Sequence, residues 1–377
     1  MTGPLRGLRV VEVAGIGPGP FAAMLLADLG ADVIRVDRPG GGGLSLGDRD
    51  VLNRGRKSIA VDLKNPGGAE VILRLAEQAD VLIECYRPGV AERLGIGPEA
   101  CLARNPKLVY GRMTGWGQDG PLAQTAGHDI AYIAITGALH AIGRAGGPPQ
   151  VPLNLVGDFG GGSMYLVVGL LAAVWEAARS GQGQVVDAAI VDGTAHLAAV
   201  VHSYQGLGIW NDERGTNLLD TGTPYYDVYE TSDGKHMAVG AFEPQFFAVL
   251  LERLGVTEST PPQHEKARWA EMRELFGETF RSRTRDEWTK IFDGSEACVA
   301  PVLSAKEAAA HPHLAARGVI VEKHGLSQPA PAPRFSRTEA VLDLPPCGPG
   351  AHTREALEAW GFDDVDDLLA AGAAVQP

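Results

Sequence analysis

The chain has 377 residues, enough for a hydrophobic core and about two domains. Its 49 glycines and 25 prolines make it rich in turns, but 45% hydrophobic and 21% charged residues mark an ordinary globular chain, which excludes collagen, a coiled coil and a disordered tail. A net charge of −13 argues against general binding to nucleic acid or an anionic membrane, so an anionic ligand would need a local basic cluster.

Strand-like and helix-like segments alternate over the first 115 residues. Leu8–Ala14 is an apolar strand run, and after a Gly/Pro turn Phe21–Leu29 is compatible with a helix. Asp32–Asp37 and Ser58–Leu63 are the second and third strands. Gly67–Gln78 carries Val71, Ile72 and Leu75 at helical spacing. Asp80–Cys85 is a fourth strand, Val90–Asn105 a helical stretch and Leu108–Met113 a fifth strand. This alternation predicts a parallel α/β sheet with right-handed crossovers. Further on, Ser163–Ala178 is a strongly apolar helix, Val185–Ala189 a strand, and Gly193–His202 helical. The texture turns polar and irregular at 209–222, read as a linker. Tyr225–Glu230 and His236–Gly240 predict a hairpin around Ser232-Asp233-Gly234. Helical stretches at Glu243–Leu254, Arg268–Arg281 and Asp286–Phe292 complete a small domain at 223–308. The Pro-rich Gln328–Pro333 reads as an extended connection within a second linker at 309–333, and Arg354–Ala371 as a helical pair broken at Trp360-Gly361. The large domain is expected to span 1–208.

The run Phe159–Trp175 is uncharged for 17 residues but holds four glycines between Asp158 and Glu176, and reads as a buried core helix rather than a membrane span. Cys85, Cys101, Cys298 and Cys347 make no CxxC pair, which suits a reducing compartment better than a zinc site or a disulfide scaffold. The N-terminus lacks a continuous apolar signal region, and the expected location is the cytoplasm.

Five motifs invite chemistry. Gly15-Ile16-Gly17-Pro18-Gly19-Pro20 lies between a strand and a helix, as a dinucleotide fingerprint would. Pro20 replaces its third glycine, however, and two prolines remove N–H donors a pyrophosphate would need, so a tight turn into a Pro-started helix is the better reading. Arg38, Arg54, Arg56, Lys57, Lys64, Arg87 and Arg93 cluster near predicted strand ends, as a solvated surface or as the local positive patch for a phosphorylated nucleotide. His128, between Gly127 and Asp129 at the end of a Gly-rich loop, is an acid/base candidate, although a lone His is more often structural. Asp158 opens Gly157-Asp158-Phe159-Gly160-Gly161-Gly162-Ser163, either as a helix cap or as a carboxylate where glycines let a ligand approach the backbone. Glu243-Pro244 alone is no more than a helix start. His311-Pro312-His313 reads as a turn, not a metal site.

Taken together, the stretches LRGLRVVEVAGIGPGPFAAMLLADLGADVIRVDRP, DVLIECYRPGVAERLGIGPE, MTGWGQDGPLAQTAGHDI, NLVGDFGGGSMYL, GQGQVVDAAIVDG and AFEPQF resemble the α-methylacyl-CoA racemase branch of the family III CoA-transferases, the CaiB/BaiF group, from Leu5 to about Thr338. The resemblance implies a Rossmann-like large domain to which residues 334–377 return, a small α/β domain, and two copies interlocked as a homodimer. It implies an isomerase acting on 2-methylacyl-CoA thioesters, with the CoA thioester as substrate and no cofactor or metal required. Arg38, Val61, Asp62, Leu63, Lys64, Cys85, Tyr86, Arg87 and Arg93 would contact CoA, and Gly127, Ile130, Ala131 and Tyr132 would line the thioester site. His128 and Asp158 match the two acid/base residues, and Glu243 the glutamate that partners the aspartate. Donors for an enolate oxygen would come from backbone N–H groups around Gly160–Ser163 or Asp129. The alternative within the same fold is a CoA-transferase in which Asp129 attacks the thioester and forms a mixed anhydride. A non-catalytic acyl-CoA binder and a nicotinamide oxidoreductase are the readings from other classes. Val200–Trp210 is apolar enough for an acyl-tail groove or an interdomain helix.

Overall fold

The computed structural model describes residues 2–42 and 46–377. The chain forms two compact units: Met1–Thr136, Leu153–Leu197 and Ala315–Pro377 make the first, Gly137–Pro152 and Ala198–Leu314 the second.

In the first unit six parallel strands, β1 (Arg9–Val13), β2 (Asp32–Asp37), β3 (Lys57–Val61), β4 (Val81–Glu84), β5 (Val109–Thr114) and β6 (Val185–Ala189), run in the order β3-β2-β1-β4-β5-β6. The short strand Ala374–Val375 adds to β3 antiparallel at one edge. The inner strands are apolar runs because the sheet is covered on both faces, and Val10, Val11, Ile34, Ile59 and Leu82 are all fully buried. Five helices matter for the site: α1 (Pro18–Asp28), α2 (Gly68–Gln78), α3 (Asp129–Ile135), α4 (Met164–Ser180) and α5 (Ile190–Leu197). One core holds Ala22 and Leu26 of α1 with Leu166 and Leu170 of α4. The core on the opposite face holds Val71, Ile72 and Leu75 of α2, with Ala356 and Leu357 from the C-terminal helix Thr353–Ala359. After β1 the chain turns into α1 on one face, and after β4 it turns into the helices Val90–Arg93 and Pro98–Arg104, whose Ala91 and Cys101 join the other face. Neighbouring parallel strands whose connections leave in opposite directions open a crevice at their carboxyl ends.

The second unit is a three-stranded antiparallel sheet, Tyr226–Glu230, His236–Gly240 and Val299–Pro301, under the helices Pro244–Leu254, Trp269–Arg281 and Arg285–Phe292. Its core is aromatic, with Tyr229 stacked on Phe280 at 5.2 Å and Trp288 edge-on to Phe280 at 5.3 Å.

Several expectations change. The helical stretch at 90–105 divides because Gly95 takes φ +76° and Pro98 starts a new helix. That at 193–202 divides into α5 and Ala199–Gly206. The hairpin Ile320–Lys323 and Leu326–Pro329 forms where a connection was expected. The apolar helix α4 is not wholly buried: Leu166, Leu170, Ala173 and Ala177 face the core, while Met164, Val168 and Trp175 form an exposed stripe. The run Leu155–Ser180 has the length and mean hydropathy, 1.5, of a membrane-crossing helix, but its inner face is part of the sheet's cover. Leu155–Ser163, ahead of α4, is π-helical, a form rare except as short segments at functional sites.

Two of the cations read as a surface patch are core ions. Arg54 donates to both carboxylate oxygens of Asp28 at 3.1 and 2.6 Å and also holds Gln328 and the carbonyl of Pro329. Arg56 pairs with Glu12, and both side chains are out of solvent. Removing one partner of such a pair strands a buried charge. Arg56→Met should therefore lower unfolding free energy by roughly 3–5 kcal/mol. In urea titrations, Glu12→Leu/Arg56→Met should recover much of that loss.

Candidate active site

The carboxyl ends of the parallel strands open on a cavity of about 1000 Å³ within the first unit. Its floor is the crevice between β1 and β4, where Ala14–Pro18 and Cys85–Pro88 diverge. The glycines of the first motif serve packing here: a Cβ on Gly19 would lie 2.2 Å from the Cys85 sulfur, and one on Gly15 would lie 3.0 Å from the Cys85 Cβ. Burial holds the Cys85 thiol far above its ordinary range, so it is neutral and inert there.

One side of the cavity is basic. Arg38 follows β2, Lys64 follows β3 with Val61, Asp62 and Leu63, and Arg87 follows β4 with Tyr86; all line it. Among the described residues none of these three cations is paired with a carboxylate, unlike Arg54, Arg56 and Lys57, the last bound to Glu355 at 2.8 Å. The acidic chain thus has a local positive patch at the sheet's switch point, suited to phosphate groups. Arg93 ends the short helix Val90–Arg93 and is off the cavity wall.

The other side carries Gly127, His128, Tyr132 and Asp158. His128 is the extended residue just before α3, and its side chain is exposed. The loop before it is shaped by Tyr132, whose hydroxyl donates to the Gly127 carbonyl and whose ring meets Trp116 edge-on at 4.7 Å. Cβ atoms on Gly115 and Gly127 would sit 2.0 and 2.6 Å from the Tyr132 ring, so both glycines exist to admit it. Ile130 and Ala131 lie on α3 but do not line the cavity. Asp158 sits in the π-helix, with Asn154 donating to its Oδ2 at 3.5 Å. Burial first, and the charge of Asp129 second, raise the Asp158 carboxyl above its ordinary 3.8; Asn154 and His128 oppose this. Tyr132 is raised too, by burial and then by Asp158. Asp129 is off the cavity wall, and its Oδ1 accepts the Asp158 backbone N–H at 2.7 Å. Glu243 belongs to the second unit, where it immediately precedes the helix Pro244–Leu254 without a capping side-chain bond among the described residues.

The Gly-rich turn does not bring a ligand to its backbone. A Cβ on Gly161 would lie 2.3 Å from Thr194 Oγ1, and one on Gly193 would lie 1.9 Å from the Gly161 carbonyl oxygen. These glycines press the π-helix against α5, and none of Gly160–Ser163 lines the cavity. Ser163 Oγ lies within bonding distance of the carbonyls of Pro18 and Asp158, tying the turn to α1. Trp116, Arg35 and Asn154 are site residues the sequence reading missed. For Trp116 the signal was present, an aromatic flanked by glycines in Thr114-Gly115-Trp116-Gly117.

The sequence profile of CoA-transferase family III matches residues 5–353. The chain belongs to this family. It is 47% identical over 367 residues, 97% of this chain and 95% of the relative, to the alpha-methylacyl-CoA racemase of Mus musculus. To the succinyl-CoA:glutarate CoA-transferase of Homo sapiens it is 30% identical over 398 residues, covering 99% of this chain and 90% of that one. A solved CAIB/BAIF family protein from Brucella suis matches the fold with a TM-score of 0.82 at 28% identity, over 96% of this chain and 100% of that chain. The family III fold and the Rossmann-like sheet order therefore agree.

The raised Asp158 has a consequence for stability. The folded state penalises its carboxylate form, so the penalty is absent below pH 3.8 and grows as pH rises through the folded value. Asp158→Asn removes that charge, and its melting temperature should exceed the parent's at pH 7 to 8. The difference should vanish below about pH 4, as read by calorimetry across pH.

Proposed function

We propose that this chain interconverts the (2R) and (2S) forms of 2-methylacyl-CoA thioesters by moving one proton across C2. The observation that carries this reading is the placement of an imidazole, His128, and a carboxyl raised above its ordinary value, Asp158, on one cavity wall opposite Arg38, Lys64 and Arg87, which have no carboxylate partner among the described residues. Similarity to the mouse racemase, at 47% identity, supports it over the transferase reading, whose relative stands at 30%.

The chemistry follows from the substrate. A proton beside a thioester carbonyl is only weakly acidic, and its removal leaves an enolate that must be reprotonated from the opposite face. Two positioned groups achieve this without turning the substrate over, one starting as base and the other as acid. A carboxyl held above its ordinary pKa supplies the acid, and the imidazole supplies the base for one enantiomer; the roles exchange for the other. Arg38, Lys64 and Arg87 would hold the CoA phosphates, leaving the thioester near His128 and Asp158. Neither a metal nor an organic cofactor is needed for this proton transfer. The pairing of Glu243 with Asp158, the interlocked homodimer and a cytoplasmic location belong to the same proposal and rest on the family resemblance.

Incubation of an enantiopure 2-methylacyl-CoA in deuterated buffer tests it. Deuterium should enter C2 as optical purity is lost, and His128→Ala or Asp158→Ala should each slow this by roughly 10²–10⁴-fold. CoA passing to an added carboxylic acid without exchange at C2 would establish the transferase instead.

A further inference from the structure

The geometry points to Asp129 as a positioning residue that holds the backbone of Asp158, and not as a nucleophile. This rests on the proton-transfer reading for its effect on rate, but its physical basis is independent of it.

Asp129 is the first residue of α3, yet its side chain is spent on the π-helix. Oδ1 accepts the N–H of Asp158 at 2.7 Å. Oδ2 is out of solvent and has no hydrogen-bond partner among the described residues. The close approach depends on Gly157, where a Cβ would lie 2.2 Å from Asp129 Oδ1. A nucleophilic carboxylate must reach the thioester, whereas this one is off the wall of the cavity that His128 and Asp158 share. A second carboxylate nearby adds like-charge repulsion, which favours a proton on Asp158.

The other groups packed around Asp158 do not replace this control. His128 acts with the opposite sign, Asn154 is a weak donor, and Tyr132 is a neutral phenol bonded to Gly127. On α1, Phe21 stacks on Phe159 at 4.5 Å, and the only titratable residue, Asp28, is held by Arg54. On α5, His196 is bonded to Tyr165 at 2.6 Å, and Asp192 acts on Asp187.

Asp129→Asn separates the two roles because the amide oxygen can still accept the Asp158 N–H while the charge is lost. The Asp158 carboxyl is followed by carbon-13 NMR titration of aspartate-labelled protein, with its resonance assigned by its absence from Asp158→Asn. In Asp129→Asn that resonance should titrate at lower pH than in the parent. The pH limb of C2 exchange that needs a protonated Asp158 should move the same way, with kcat reduced roughly tenfold and KM within about twofold. Gly157→Ala, which keeps the charge but displaces the carboxylate, should lower kcat similarly and is the second variant should Asp129→Asn fold poorly. An unchanged titration of Asp158 in folded Asp129→Asn overturns the proposal, as does an acyl-CoA-dependent anhydride at Asp129 trapped by hydroxylamine. Failure of the parent to exchange C2 at all would sink the racemase reading instead, and the NMR titration would still decide the role of Asp129.

Discussion

Two adjacent parallel strands, β1 and β4, send the chain to opposite faces of the sheet, and every feature of the site follows from the gap this leaves. The turn after β1 can close against the turn after β4 only because Gly15 and Gly19 accept the Cys85 side chain where a Cβ would collide. Around that seam the ends of β2, β3 and β4 contribute cations, and the loops after β5 contribute the imidazole and the aromatic wall. The sheet therefore fixes a basic side and a side that carries His128 and Asp158 at a set separation, as expected where side chains come from rigid elements.

The side that carries Asp158 depends on a second close approach, between the π-helix and its neighbours. Glycines at 157, 161 and 193 remove the side chains that would hold these backbones apart. The π-helix can then be gripped by α5 and by the Asp129 carboxylate, while its own Ser163 ties it to Pro18 of α1. Burial and a neighbouring negative charge, which raise the Asp158 carboxyl above its ordinary range, are both unfavourable for stability. The many contacts around Leu155–Ser163 offset that cost.

Strands β1 to β5 were legible as apolar runs at helix-sized spacing, because a parallel sheet covered on both faces needs little alternation. His128, Asp158 and the cavity cations Arg38, Lys64 and Arg87 were legible from residue type at strand ends or in glycine-rich loops, and from the family resemblance. The bond from Asp158 to Asp129 was not, because it joins residues 29 apart through a backbone N–H that sequence does not show. Arg54 and Arg56 looked like surface cations because their partners, Asp28 and Glu12, precede them by 26 and 44 residues. The glycines of Gly160–Gly162 suggested a ligand cradle, and only the position of Thr194 and Gly193 shows that they serve helix packing. The π-helix carries no periodic signal, since four of its nine residues are glycines.

The most direct test of two-sided proton transfer is a crystal structure with a non-reacting thioether analogue of a 2-methylacyl-CoA bound. The account predicts the imidazole of His128 and the carboxyl of Asp158 on opposite faces of C2, each within hydrogen-bonding reach of the proton position it serves. Both groups on one face of that carbon, or either of them out of contact with the acyl portion, would contradict it.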